Sequence, residues 1–273
     1  EPFLRDDLVD IARAVFRALP ERTVLDFPTT GQRSERILEG CAEIAALGIP
    51  RFYVSCSIEG PPDVHDRLRG RPDAFDNLMR TYRGLRALDG VAPFLGMTLS
   101  DQNAHLVDET LDAVRDHVPD VSMRDLHLNV YTESGHYYGN EEGPLKAPTG
   151  ILPAVARALR SREASWDPAD VIEAVYLRHL PTFLRTGRSP LPCKSLRSVV
   201  FVDAKGDLYP CTVWDRPLGN VLETPLYDLL ERAEAEATRK AIAADACPGC
   251  WSPCEAHPTI VASAPTSVLT RPR

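Results

Sequence analysis

Phe52-Tyr53-Val54-Ser55-Cys56-Ser57-Ile58 alternates apolar and polar side chains along a run of β-forming residues. Neighbouring side chains of a strand point to opposite faces, so Phe52, Val54, Cys56 and Ile58 share one face while Ser55, Ser57 and the following Glu59 share the other. The pattern recurs on either side. In 94–99, Leu95, Met97 and Leu99 oppose Gly96, Thr98 and the following Ser100, and in 126–131, Leu126, Leu128 and Val130 oppose His127, Asn129 and Tyr131. A shorter strand, Thr23 to Phe27, sets Leu25 and Phe27 against Val24 and Asp26. Helical periodicity fills the intervals, over 34–47 with Ile37, Cys41, Ile44 and Leu47 on one face and Gly48 as C-cap, then over 74–88 and 104–118. An amphipathic helix from Phe3 to Leu19, with Leu4, Leu8, Ile11, Val15 and Leu19 in register, precedes them and stops at Pro20. Strands alternating with helices of this length form parallel βαβ units, so the expected class is α/β, an incomplete barrel. An open Rossmann-like sheet is the alternative, and no G-x-G-x-x-G follows any of these strands.

Parallel strands buried on both faces read as continuous Val, Ile and Leu, so polar residues recurring on one face of several strands need a reason. A lumen that binds a ligand is one reason, and internally hydrogen-bonded core polars are another. The polar positions gather toward strand C-termini, where barrel sites lie. Asp26, Ser57, Thr98, His127 and Asn129 are the residues to watch, with His127 equally readable as a satisfied core histidine.

At 273 residues, 44% hydrophobic and 26% charged, the chain can bury a full core. A net charge of -8, with no run of Lys or Arg, argues against a nucleic-acid partner. No stretch approaches the ~20 apolar residues needed to span a bilayer. A cytoplasmic protein is expected. The chain opens at Glu1-Pro2 rather than at Met, which reads as a fragment or processed chain.

After Asn140 the alternation stops, and helical patterns at 151–159 and 168–184 follow a loop bearing Gly and Pro. Beyond Pro190 apolar material thins and five of the seven cysteines collect: Cys193, Cys211, Cys247, Cys250 and Cys254. A small module with little core needs a staple. In a reducing compartment that staple is a metal rather than a disulfide, and C-x2-C-x3-C at Cys247, Cys250 and Cys254 brings three thiolates within reach of one centre. Cys193 and Cys211 flank a hairpin signal, Ser198–Val202 and Leu208–Pro210 around a turn at Asp203-Ala204-Lys205-Gly206-Asp207. Five thiols compete for four corners, and spacing alone does not separate zinc from an iron–sulfur cluster. Cys41 and Cys56 lie on apolar faces and read as buried small hydrophobes.

Cys193, Gly206, Asp207-Leu208-Tyr209-Pro210-Cys211, Gly219-Asn220 and Cys247-x2-Cys250-x3-Cys254 together resemble the SPASM and twitch auxiliary-cluster domains of radical S-adenosylmethionine (SAM) enzymes. Glu1-Pro2-Phe3-Leu4 resembles the end of that family's G-G-E-P motif, and Ser57-Ile58-Glu59-Gly60-Pro61 through His65-Asp66-Arg67 and Arg69-Gly70 resembles its fourth-strand segment. The resemblance implies a partial (β/α)6 radical SAM barrel with strands three to six at 1–147, a helical connector at 148–190 and a small cysteine-rich α+β auxiliary-cluster domain at 191–273. It implies SAM contacts at Glu1 and Ser57, to which Thr98 is added, and substrate or lumen roles for Asp26, His127 and Asn129. The hairpin pair and Cys254 are the implied cluster ligands, with Cys247 and Cys250 competing for the fourth corner unless that corner is left open for substrate.

With five thiols in the tail, one auxiliary [4Fe-4S] cluster is expected rather than two. The C-x3-C-x2-C loop for the SAM-ligating cluster would lie upstream of Glu1, so SAM and that second [4Fe-4S] cluster belong to the complete protein and the chain as given is expected to be inactive alone. The implied function is modification of a peptide or protein through a 5′-deoxyadenosyl radical, with flavodoxin or ferredoxin as electron donor. The competing reading is a zinc-stapled binding or scaffold protein on a degenerate barrel, without radical chemistry. An ordinary barrel hydrolase or lyase using Asp26, Glu59 and His127 would leave the cysteine pattern unexplained.

Overall fold

The computed structural model describes residues 1–20, 23–162 and 165–263. Strands β1 (Val24–Thr29), β2 (Arg51–Ile58), β3 (Ala92–Leu99) and β4 (Leu126–Val130) form one sheet whose spatial order follows the chain. β1 pairs with β2 in parallel, Val24 opposite Arg51 through Thr29 opposite Cys56, and β2 pairs with β3 in parallel, Tyr53 opposite Ala92 through Ile58 opposite Met97. Helices supply the crossovers: α2 (Ser34–Ala45) after β1, α3 (Pro62–Arg69) and α4 (Ala74–Arg86) after β2, and α5 (Val107–Arg115) after β3. This is the expected α/β architecture.

Burial follows the alternation read from the sequence. Val54, Cys56, Ile58, Leu95, Met97, Leu99, Leu126 and Leu128 are buried, as are the facing Ile37, Cys41, Ile44, Leu78 and Leu85 of the helices. The opposite face, Tyr53, Ser55, Ser57, Phe94, Gly96, Thr98, His127 and Asn129, is half-buried throughout. Cys41 and Cys56 are completely buried in the apolar layer, as expected.

Several boundaries differ from expectation. The first helix is a 3-10 turn at Pro2–Leu4, an extended Arg5, and then α1 (Leu8–Ala18). Arg36 accounts for the break, because its guanidinium takes the carbonyls of Phe3 and Leu4 and so holds the chain outside the helix. Of the apolar stripe Leu4, Leu8, Ile11, Val15 and Leu19, only Leu8 is buried. α5 starts three residues later than the expected Ala104, because Asn103 folds 100–105 into turns, its Oδ1 accepting from the Ser100 amide at 2.7 Å. α3 was not anticipated, although Pro61-Pro62 at its start and the left-handed Gly70 (φ 64°) at its end mark it.

The chain divides into two compact units, Glu1–Asn129 with Pro148–Ile151, and Val130–Ala147 with the residues from Leu152 onward. In the second, α6 (Leu152–Arg160) packs on α7 (Pro168–Thr186), and α10 (Pro253–Ala262) packs on α7 as well. Trp251 seals that junction, its Nε1 donating to the Tyr176 carbonyl at 3.0 Å and its ring stacked on the Tyr176 ring. A two-stranded hairpin, β5 (Phe201–Val202) with β6 (Leu208–Tyr209), and the helices α8 (Leu226–Glu231) and α9 (Ala233–Ala243) share a small core of Leu196, Leu208, Leu218, Leu229 and Ala235. The hairpin is shorter than its sequence signal, but Asp203 ties its turn, accepting from the amides of Lys205 and Asp207.

Candidate functional site

In the second unit a cavity of about 570 Å3 is lined by Cys193, Cys211, Cys247, Cys250 and Glu255, among others. Three separate stretches deliver these thiols: the segment before the hairpin, the segment after it, and the loop before α10. The close of the hairpin explains the first pairing. Ser195 Oγ donates to the Pro210 carbonyl, holding the residues that follow Cys193 against those that precede Cys211. Asn220 braces the turn from outside, its Nδ2 donating to the Lys205 carbonyl and to Asp207 Oδ1, both at 3.0 Å. Gly206 (φ 91°) sits directly against Asn220, where a Cβ would lie 2.9 Å from its Oδ1. The Gly206 and Gly219-Asn220 elements of the resemblance are therefore parts of one bracket.

Backbone amides point at the sulfurs. The Trp214 amide donates to Cys211 Sγ at 3.2 Å. The amides of Val213, Ser195 and Ser252 lie near enough to act favourably on the charge of the Cys211, Cys193 and Cys250 thiols respectively. Such amides stabilise a thiolate over a thiol. Burial works the other way, pushing Cys193 and Cys250 up and Cys211 up to about 12, with the neighbouring Glu255 charge adding to each. A group of buried thiols beside a carboxylate cannot ionise unaided, whereas a cationic metal core offsets the repulsion and takes the ionised form. Glu255 is itself pushed up by burial to about 7. Cys254, by contrast, is exposed, lies outside the cavity lining, and has Tyr137 and Tyr138 as charge neighbours.

Cys211 is also gripped from the segment that follows β4. His136 Nε2 lies 3.1 Å from the Cys211 carbonyl, its ring stacked on Tyr209 at 4.5 Å, and Ser134 Oγ donates to the Thr212 carbonyl at 2.7 Å. Nothing in the sequence marked Ser134 or His136, because the grip depends on two segments about 75 residues apart.

In the first unit, the Glu1 carboxylate accepts from Thr29 Oγ1, from the Thr30 amide at 2.9 Å and from Thr30 Oγ1 at 2.7 Å, which seats it at the C-terminal end of β1. Asp26 is exposed on edge strand β1, and Ser57, Thr98, His127 and Asn129 lie half-buried on the same sheet face. His127 packs edge-on against Phe94 at 6.2 Å. The segment after β2 is an internally bonded knot: Arg69 pairs with Glu59 at 2.8 Å, the Glu59 amide donates to His65 Nδ1, and Asp66 accepts the amides of Asp73 and Phe75. Burial lowers His65 to about 4, with Arg69 adding to the effect. Asn103, which sequence reading passed over, joins the ends of β2 and β3, its Nδ2 donating to the carbonyls of Glu59 and Thr98 at 3.0 Å.

Residues 193–251 match the SPASM family, described as an iron-sulfur cluster-binding domain. No curated protein matches the chain by sequence. Among solved structures the chain is similar to native anSMEcpe with bound AdoMet, at 15% identity and a TM-score of 0.52, covering 87% of this chain and 64% of that one. It is also similar to native anSMEcpe with bound AdoMet and Cp18Cys peptide, at 15% identity and a TM-score of 0.55, covering 87% of this chain and 66% of that one. Those are structures of a radical SAM enzyme, an anaerobic sulfatase-maturating enzyme. This chain thus spans less than two thirds of the first of them. At this identity the likeness is one of fold. No described helix is long and apolar enough to cross a membrane.

Proposed function

We propose that this chain, which joins a SPASM-type iron–sulfur segment to the fold of AdoMet-bound radical SAM structures, acts as a radical SAM enzyme on a peptide or protein substrate, with one auxiliary [4Fe-4S] cluster. The observation that carries the reading is the convergence of thiols from three stretches on one cavity within the matched segment. The residues fit a cluster. Cys193, Cys211 and Cys250, which share the cavity wall with amides placed to favour their ionised form, supply three corners, and the fourth is filled from Cys247, Cys254 or Glu255.

On the sheet, Glu1 is the acceptor for the SAM amino group, held in place by Thr29 and Thr30. Ser57 and Thr98 flank the nucleoside, and Asp26, His127 and Asn129 orient substrate on the same polar face. When bound, SAM supplies one-electron reductive cleavage of its sulfonium. The chain's own part is to bind, orient and exclude water. The reducing electron comes from a flavodoxin or ferredoxin, and a reducing compartment such as the cytoplasm keeps the site's thiols free to bind metal. The peptide preference rests on the peptide-bound relative alone.

The test is iron, sulfide and zinc content with an absorption spectrum, on anaerobically purified chain and its Cys193→Ala and Cys211→Ala variants. About four irons per chain, with a broad visible band that both substitutions diminish, supports the reading. One zinc and no visible band after reconstitution with iron and sulfide overturns it in favour of a zinc-stapled scaffold.

A further inference from the structure

Two segments of the chain carry the Ser-x-x-acid spacing of a capping box, and only one forms the box. At Ser122 the arrangement is complete: the side chain accepts from the Arg124 amide, and Asp125 Oδ2 accepts from the Ser122 amide at 2.9 Å. At Ser252-Pro253-Cys254-Glu255, which opens α10, the Ser252 side chain makes no cap bond. The box is not closed from the other side either: unlike Asp125 with Ser122, Glu255 makes no capping bond to the Ser252 amide. Glu255 is 97% buried by residue, having 3% of its surface exposed, and it lines the cysteine cavity. Its Oε1 reaches the Thr212 amide only at 3.4 Å, and its Oε2 has no hydrogen-bond partner. A carboxylate oxygen turned away from its local partner and left bare inside a thiol-lined cavity is costly unless something in that cavity takes it.

We propose that Glu255 is an oxygen ligand of the metal centre, completing with Cys193, Cys211 and Cys250 a set of three sulfurs and one oxygen and leaving Cys247 outside it. The inference rests on the reading of this cavity as the metal site. Glu255 lines the same cavity as all three of those thiols and lies close enough for its charge to act on each. A hard oxygen donor makes one iron chemically distinct from the other three, an exchangeable corner in a cluster otherwise held by thiolate.

The experiment compares unmodified chain with Glu255→Gln, Glu255→Cys and Cys247→Ala, each reconstituted anaerobically with iron and sulfide, by iron stoichiometry and by the paramagnetic resonance of the reduced and oxidised cluster. Glu255→Gln is expected to lose roughly one iron in four and to show a three-iron signal on oxidation. Glu255→Cys retains all of them with a shifted signal, and Cys247→Ala matches the unmodified chain. An unchanged spectrum in Glu255→Gln, or loss of iron in Cys247→Ala, overturns the proposal. Cobalt(II) substitution of the same variants reads the ligand set even if the native metal is zinc. A ligand-field band moved by Glu255→Gln and not by Cys247→Ala upholds the oxygen ligand while the cluster reading falls, and the converse defeats the ligand assignment whichever metal is bound. Thermal melting of the metal-free Glu255→Gln chain at the unmodified temperature shows that the fold is not what changed.

Discussion

Cys56 and Cys211 are both thiols pushed up by burial, yet they sit in regions built on opposite plans. Cys56 lies in the sheet layer between Val54 and Ile58, packed among side chains that have nothing to hydrogen-bond, and there its sulfur serves as a small hydrophobe. Cys211 lies half-buried at a cavity wall, with the Trp214 amide on its sulfur, a histidine on its carbonyl and a carboxylate beside it. Burial alone therefore does not distinguish a structural cysteine from a proposed metal ligand. The surrounding dipoles do: apolar neighbours keep the thiol neutral, whereas directed N–H groups prepare an anion that only a metal makes worth forming.

The sharpest way to break that contrast is to exchange the two sulfurs' fates. Cys211→Ala is expected to abolish nearly all bound iron and sulfide and to make 191–263 readily cleaved in limited proteolysis, while Cys56→Ala leaves the metal content untouched. Equal loss of iron from both would erase the distinction. Next, Leu95→Ala should destabilise the chain by about 2–5 kcal/mol in urea unfolding with iron per folded chain unchanged, because the sheet unit depends on packing and the cavity does not.

The third prediction concerns His65, whose folded value near 4 lies below its ordinary 6.5. Between those values the unfolded chain holds the extra proton, so stability rises with pH. Lowering the pH from 7 through 6.5 toward 4 should therefore remove up to about 3 kcal/mol, and His65→Gln should flatten the profile in this window. A slope that survives the substitution would assign the effect elsewhere. Smallest is the pair of boxes: Ser122→Ala should cost about 1 kcal/mol in melting experiments and Ser252→Ala close to nothing, since only the first side chain caps its helix.

The strands were readable because period-two alternation is a local signal: on β2, β3 and β4 the buried face is the one that alternation selects, while on the edge strand β1 the selected Leu25 and Phe27 are only half-buried. The hairpin flank of Cys193 and Cys211 was readable for a similar reason, since a turn at Asp203–Asp207 closes only a short loop. Helix starts were less legible. Phe3 and Ala104 sit inside good helical patterns, yet Arg36 and Asn103, acting across turns and strands, make those helices start late. The supporting residues of the cavity were invisible for a stronger form of the same reason. Glu255 looks like an ordinary capping residue until its carboxylate is seen buried in the cavity with Oε2 unbonded, and His136 has no local peculiarity at all. Spacing reveals which thiols could meet. It says nothing of what else meets them.

The sheet's spatial order, β1-β2-β3-β4, repeats the order of synthesis. No early strand must wait for a later one to be inserted beside it, so each βα unit can dock on its predecessor as the chain lengthens. The thiol site obeys a different clock. Cys193 and Cys250 are 57 positions apart (250 − 193), and Glu255 follows later still. Cys250 and Glu255 must both be in place before a metal meets its full set of donors. The first region can thus form from segments as they appear, whereas the second needs donors from distant segments to be present together.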